Sequence, residues 1–116
     1  MIKTRSIATR KWVVEKFVSE EYFQLFLNEY NALSNIPDNQ NIIKLEKAEH
    51  NNNGSGTLQF EFFPKGDFHE FVLNSVGFDE RIARFYFKQL VNGLTHIHKH
   101  GYSHLDLKLE NVIVDD

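Results

Sequence analysis

The stretch 104-HLDLKLEN-111 decides how the whole chain is read. Asp106, Lys108 and Glu110 alternate with Leu105, Leu107 and Leu109, and Asn111 closes the run. Taken plainly, the alternation is a half-buried strand with one wet face. The same spacing also serves chemistry. An Asp can accept a proton from a hydroxyl. A Lys two residues on lies on the same side of an extended segment, near any transferring anion. An Asn five residues after the Asp offers an amide oxygen, the ligand type that hard cations such as magnesium prefer. Positioning, a base and charge neutralisation are what phosphoryl transfer requires.

The bulk properties narrow the setting. A chain of 116 residues suits one domain, and 41% hydrophobic residues, eleven of them Phe, can build a core. The net charge of −3 leaves no electrostatic footprint for nucleic acid. Without cysteine, disulfides and thiolate metal sites are excluded. No apolar run is long enough to span a bilayer. The N-terminus, MIKTRSIATR, is basic but lacks the apolar region of a secretory signal. A soluble intracellular, cytoplasmic protein is expected.

Moving outward, SIATRKWVV (6–14) is rich in β-branched residues and reads as a strand. Ser19 then caps a helix over 19–36, with Glu20 and Glu21 in its first turn and Tyr22, Phe26, Leu33 and Ile36 on one face. NIIKLEKAEH (41–50) and TLQFEFF (57–63) read as strands joined by the polar hairpin NNNGSG (51–56). PKGD (64–67) is a turn and FHEFVLNS (68–75) a short helix. Asp79 caps a longer helix with Ile82, Phe85, Leu90, Leu94 and Ile97 in its stripe, stopped at Gly101. NVIVDD (111–116) reads as a short buried strand. A sheet part followed by a helical part makes an α+β fold.

Two further features attract attention. Glu29 sits inside the apolar stripe of its helix, where a carboxylate must reach water or meet a cation, because burying it unpaired costs several kcal/mol. His96, His98, His100 and His104 suggest a metal site, but only His96 and His100 share a helical face, and no acid completes a ligand pattern. Solvated or core histidines are the usual outcome.

The segment YSHLDLKLEN (102–111) resembles the catalytic loop of eukaryotic protein kinases, H-R-D-L-K-x-x-N. The resemblance implies that Asp106 is the catalytic base, that Lys108 is the catalytic-loop lysine typical of Ser/Thr-specific members, and that Asn111 is a magnesium ligand. Its neighbours match in order. NEYNALSNI (28–36) and NQNIIKL (39–45) look like the end of the family's αC helix and the strand after it, which makes Glu29 the helix glutamate. LQFEFFPKGDFHEFV (58–72) looks like the last N-lobe strand, the hinge and the next helix. Phe60 would then be the gatekeeper, Glu61 and Phe63 would offer backbone groups to adenine, and Asp67 would reach the ribose of ATP. ARFYFKQLVNGLTHIHKHG (83–101) resembles the long helix before the loop. The fold implied is kinase-like: a partial N-lobe over 7–66 and the start of a C-lobe over 67–116.

Departures are equally visible. The strand lysine that should pair with Glu29 is expected in a V-A-I-K setting. IATR (7–10) is taken as that segment, which puts Ala8 and Arg10 toward the nucleotide, with Lys11 as the substitute if a bulge intervenes. Leu105 stands where the family has an Arg that couples the loop to a phosphorylated activation segment. No glycine-rich loop precedes residue 7, and no Asp-Phe-Gly occurs among the 116 residues. The expectation is a Ser/Thr protein kinase, a transferase acting with ATP and Mg2+ on a protein substrate, present as a partial domain that self-associates. The alternative is a non-catalytic, pseudokinase-like module that binds nucleotide or a partner protein.

Overall fold

Alternation of apolar and polar residues builds a sheet first. The computed structural model describes residues 2–5 as backbone, and residues 11–75 and 78–115 in full. Strands β1 (Ile2–Arg5), β2 (Trp12–Val18), β3 (Leu45–His50) and β4 (Gly56–Glu61) form one antiparallel sheet in the order β1-β2-β4-β3. Helix α1 (Phe23–Asn35) follows β2 through a 3-10 turn at Glu20–Tyr22. Helices α2 (Phe68–Leu73) and α3 (Glu80–Lys99) come next, then a 3-10 turn at Leu109–Asn111.

The chain divides into two compact units, residues 1–38 with 43–62, and residues 39–42 with 63–116. In the first, Val14, Lys16 and Val18 of β2 pair with Phe60, Leu58 and Gly56 of β4. Cross-strand partners share a face, so this register puts three apolar β4 positions on the side that α1 covers. Phe26, Leu58 and Phe60 form the core there, with Val18, Phe23, Leu27, Leu33, Leu45 and Ala48 packed against them. A Cβ at Gly56 would lie 2.3 Å from the Phe26 ring, so the ring rests directly on backbone.

In the second unit, Asp67 Oδ1 accepts the Glu70 amide 2.9 Å away and caps α2. Asp79 caps α3 in the same way, accepting from the Ile82 amide at 3.0 Å. Phe68, Phe71, Phe78 and Tyr86 pack as one aromatic cluster that joins the two helices, in stacked, tilted and edge-to-face pairs. Gly101 ends α3 at φ +84°, as its position predicts. The C-terminal stretch folds back on the turn before α2, with Phe68 N donating to Val112 O at 2.7 Å and Val114 N to Gly66 O at 3.0 Å.

Several sequence expectations are corrected. The strand expected over 6–14 falls in part on residues 6–10, which lie outside the described residues; from Trp12 the chain is in β2, which runs on to Val18 and takes its register from β4. Tyr22 belongs to the 3-10 turn and is 55% exposed, so it leaves the helix stripe. Among the described residues of 111–116 there is an isolated bridge between Asp67 and Ile113 instead of a buried strand, and only Val114 is buried. Helix α3 keeps Ile82, Phe85, Phe87 and Val91 exposed.

Two outcomes follow. Gly56→Ala should lower stability by about 1–3 kcal/mol, since the methyl and the Phe26 ring cannot share the space; denaturant titration of the pair measures it. The exposed apolar residues of α3 should drive self-association of the 116-residue chain. Sedimentation at micromolar concentration should show oligomers, and a compact monomer would contradict this.

Candidate active site

In the first unit, α1 places Glu29 one turn after Phe26, on the sheet side of the helix. β2 places Lys16 opposite Leu58 on the same face. Lys16 Nζ donates to Glu29 Oε2 at 2.8 Å. The carboxylate inside the apolar stripe therefore meets a cation, and the pair keeps partial contact with water, with side chains 42% and 34% exposed. Phe60 is buried in the core, and Glu61 ends β4 with its side chain exposed.

This corrects the basic partner expected for Glu29. Ala8 and Arg10 lie outside the described residues. Lys11 is exposed and precedes the first residue of β2. It stands five positions before Lys16, roughly 17 Å along an extended strand, and on the opposite parity. The lysine that meets Glu29 is Lys16, at the end of VVEK (13–16). The signal was in the sequence: V-x-x-K inside a β-branched run, masked because Glu15 replaces the apolar residue expected there.

In the second unit, residues 104–111 are not a strand. Leu105 has φ +66° and is 95% exposed, and Leu107 and Leu109 are exposed as well. Polar contacts shape the loop instead. Asp106 N donates to His104 Nδ1 at 3.2 Å. Asn111 Nδ2 donates to Asp106 O at 2.7 Å and reaches Asp106 Oδ2 at 3.2 Å. Lys108 Nζ lies 3.7 Å from the same Oδ2. Asp106, Lys108 and Asn111 are thus brought together around one carboxylate. Because Asn111 turns its nitrogen toward Asp106, the oxygen of its amide is the atom available to a hard cation, and the Asp106 carboxylate adds oxygen donors of the same kind.

Asp67 is occupied in part by its capping bond through Oδ1. Phe63 O accepts from Gly66 N at 3.1 Å, closing the turn before α2. His96 and His100 do share a face, with ring centroids 4.5 Å apart, and His100 Nδ1 meets His96 O at 2.8 Å. Among the described residues there is no group of three or more His, Asp or Glu arranged to hold a metal ion.

Comparison with known proteins gives the family and the fold. The protein kinase domain family matches residues 1–116, and the chain belongs to that family. Rat NUAK family SNF1-like kinase 2 is 27% identical over 111 residues, which is 96% of this chain and 17% of the relative. Serine/threonine-protein kinase chk1 of Schizosaccharomyces pombe is 44% identical over 55 residues, 47% of this chain and 11% of the relative. The chain thus spans less than a fifth of the length of these relatives. The fold matches a crystal structure of Rad53 1-466 in complex with AMP-PNP at TM-score 0.85 and 24% identity, covering 98% of this chain and 30% of that one.

The Lys16–Glu29 pair is open to solvent on both partners, so its contribution to stability is small. Glu29→Gln should change unfolding free energy by less than about 1 kcal/mol. Thermal melts of the two proteins test this.

Proposed function

We propose that this chain carries the phosphate-anchoring and catalytic-loop chemistry of an intracellular Ser/Thr protein kinase, which transfers phosphoryl from ATP to a protein hydroxyl. The observation that carries the reading is the Asp106–Lys108–Asn111 constellation, two of whose members converge on Asp106 Oδ2. In this role the Asp106 carboxylate accepts the proton of the substrate Ser or Thr as its oxygen bonds to the γ-phosphorus and the bond to ADP breaks. Lys108 brings positive charge to the transferring group. Asn111 would hold magnesium through its amide oxygen, and the ion when bound would neutralise phosphate charge.

The Lys16–Glu29 pair supports the nucleotide half of the proposal. An ion pair fixes the ammonium where a point charge can meet the α- and β-phosphates. Lys16 takes the role first given to Arg10 or Lys11. Phe60, Glu61 and Phe63 would line adenine, and Asp67 would reach the ribose while capping α2. Leu105 supports one refinement. Its aliphatic side chain cannot pair with a phosphate, so control through a phosphorylated activation segment would need another cation. The same residue is the observation that favours the second reading, a pseudokinase-like module that binds nucleotide or partner without transfer.

The test compares two proteins: the 116-residue chain, and a longer form supplying a glycine-rich loop and an Asp-Phe-Gly segment. Radiolabelled transfer to a generic Ser/Thr substrate should be absent from the first. It should be present in the second and abolished by Asp106→Asn with ATP binding largely retained. Lys16→Met should weaken both. Full transfer by the Asp106→Asn long form would remove Asp106 as the base, and a long form that binds ATP without transfer would favour the pseudokinase-like reading.

A further inference from the structure

The β3–β4 hairpin contains the dipeptide Asn53-Gly54, and its geometry bears on covalent chemistry rather than on folding alone. Asn53 is exposed. Its Oδ1 accepts two hydrogen bonds, from Ser55 N at 3.1 Å and from Ser55 Oγ at 2.5 Å. Ser55 is 2% exposed, and its Oγ is also held by Asn51 Nδ2 at 2.9 Å, which fixes the hydroxyl. Two donors thus point at the oxygen that would gain negative charge if a nucleophile added to Asn53 Cγ. Donors placed in advance at a developing oxyanion lower the barrier to such an addition.

The nucleophile is the next residue's backbone nitrogen. Gly54 has no side chain to obstruct it and sits at φ +86°, a conformation that favours glycine. The Glu20 side chain lies where a Cβ at position 54 would project, with its Cδ 2.6 Å from that point, and it is the positive φ that favours the glycine. One bond opposes the reaction: Gly54 N donates to Asn51 O at 3.0 Å and must open first.

We propose that Asn53 is a site of intramolecular deamidation, promoted by the folded hairpin. Gly54 N, losing its proton to water, bonds to Asn53 Cγ, and Oδ1 takes up the negative charge between the two Ser55 donors. Collapse breaks the Cγ–Nδ2 bond and expels ammonia, leaving a five-membered succinimide. Water then opens either carbonyl, giving aspartate or isoaspartate at position 53. No electrons are exchanged, and the net change is amide plus water to carboxylate plus ammonium. The product adds one negative charge to a chain of net −3. The isoaspartyl form also lengthens the backbone by one atom within the turn closed by Asn51 N to Ser55 O at 2.8 Å.

The experiment incubates the 116-residue protein at pH 8 and 37 °C, in buffer and in guanidinium chloride, and follows peptide mass and isoaspartyl content over days. The expected result is a gain of about one mass unit on the peptide containing Asn53, with Asn51 and Asn52 unchanged, and a rate in buffer at least equal to that in denaturant. Ser55→Ala should slow the buffer rate by roughly tenfold, less than a full oxyanion hole is worth because Ser55 N remains, and leave the denaturant rate unchanged. A folded protein that deamidates more slowly than the unfolded one overturns the proposal, since the Gly54–Asn51 bond would then protect the site. Equal rates for Ser55→Ala and the parent in buffer overturn the role of the hydroxyl. If Ser55→Ala does not fold, the comparison of parent protein in buffer and denaturant still decides.

Discussion

The contact of the Phe26 ring with the backbone at Gly56 sets the geometry of the first unit. With no Cβ between them, α1 approaches β4 more closely than any other residue at 56 would permit. Leu58 and Phe60 complete the contact, and Leu58 has no exposed surface. Once the ring is seated, the rest follows from periodicity. One helical turn on is Glu29, two strand positions on is Leu58, and Leu58 is paired with Lys16. The ion pair is therefore a readout of apolar packing. Exposed on both sides, it could not hold the helix in place by itself.

This hierarchy explains what was legible in the sequence. Elements with strong local signals were placed nearly to the residue. Asp79 and Gly101 bracket α3 because capping chemistry is local, whereas the cap that Asp67 gives α2 was read only as part of a turn. Glu29 was legible as an anomaly, an acid in an apolar stripe that demanded a cation. Its partner was not. Strand register depends on the pairing between β2 and β4, residues far apart in sequence, and a slip of a few positions substitutes one basic residue for another. Arg10, Lys11 and Lys16 all lie near β-branched residues, so composition could not choose among them. Gly56 was read as hairpin because a glycine beside Asn, Gly and Ser looks like a turn, whereas the close approach of a distant ring gives it another use.

The loop at 104–111 shows a related limit. Strict alternation of leucines and polar residues has the period of a strand, yet no partner strand lies beside it in the structure described. What the segment has is an internal polar framework. Asn111 holds the Asp106 carbonyl and His104 holds its amide, so the Asp is gripped on both sides of its Cα. Just before those grips, Leu105 sits at positive φ, a conformation costing a non-glycine residue about 1–2 kcal/mol. An exposed leucine gains nothing there from burial. The bond from Asp106 N to His104 Nδ1 spans it, and beyond it the Asp106 carboxylate meets Lys108 and Asn111.

The two units thus use opposite means to the same end. In the first, an apolar contact without polar content delivers a charged pair to a fixed place. In the second, hydrogen bonds deliver a carboxylate to its neighbours while the apolar side chains stand in water. Apolar packing tolerates conservative exchange, because shape and volume are what it reads. A hydrogen-bonded loop does not, because each donor and acceptor is specific and a lost partner leaves the other unsatisfied. For that reason the loop sequence carried the family resemblance more sharply than the sheet did. The loop's residues are constrained by identity, and the sheet's mainly by pattern. The sheet residues whose identity matters, Gly56 against the Phe26 ring and Lys16 against Glu29, were the ones that pattern alone could not find.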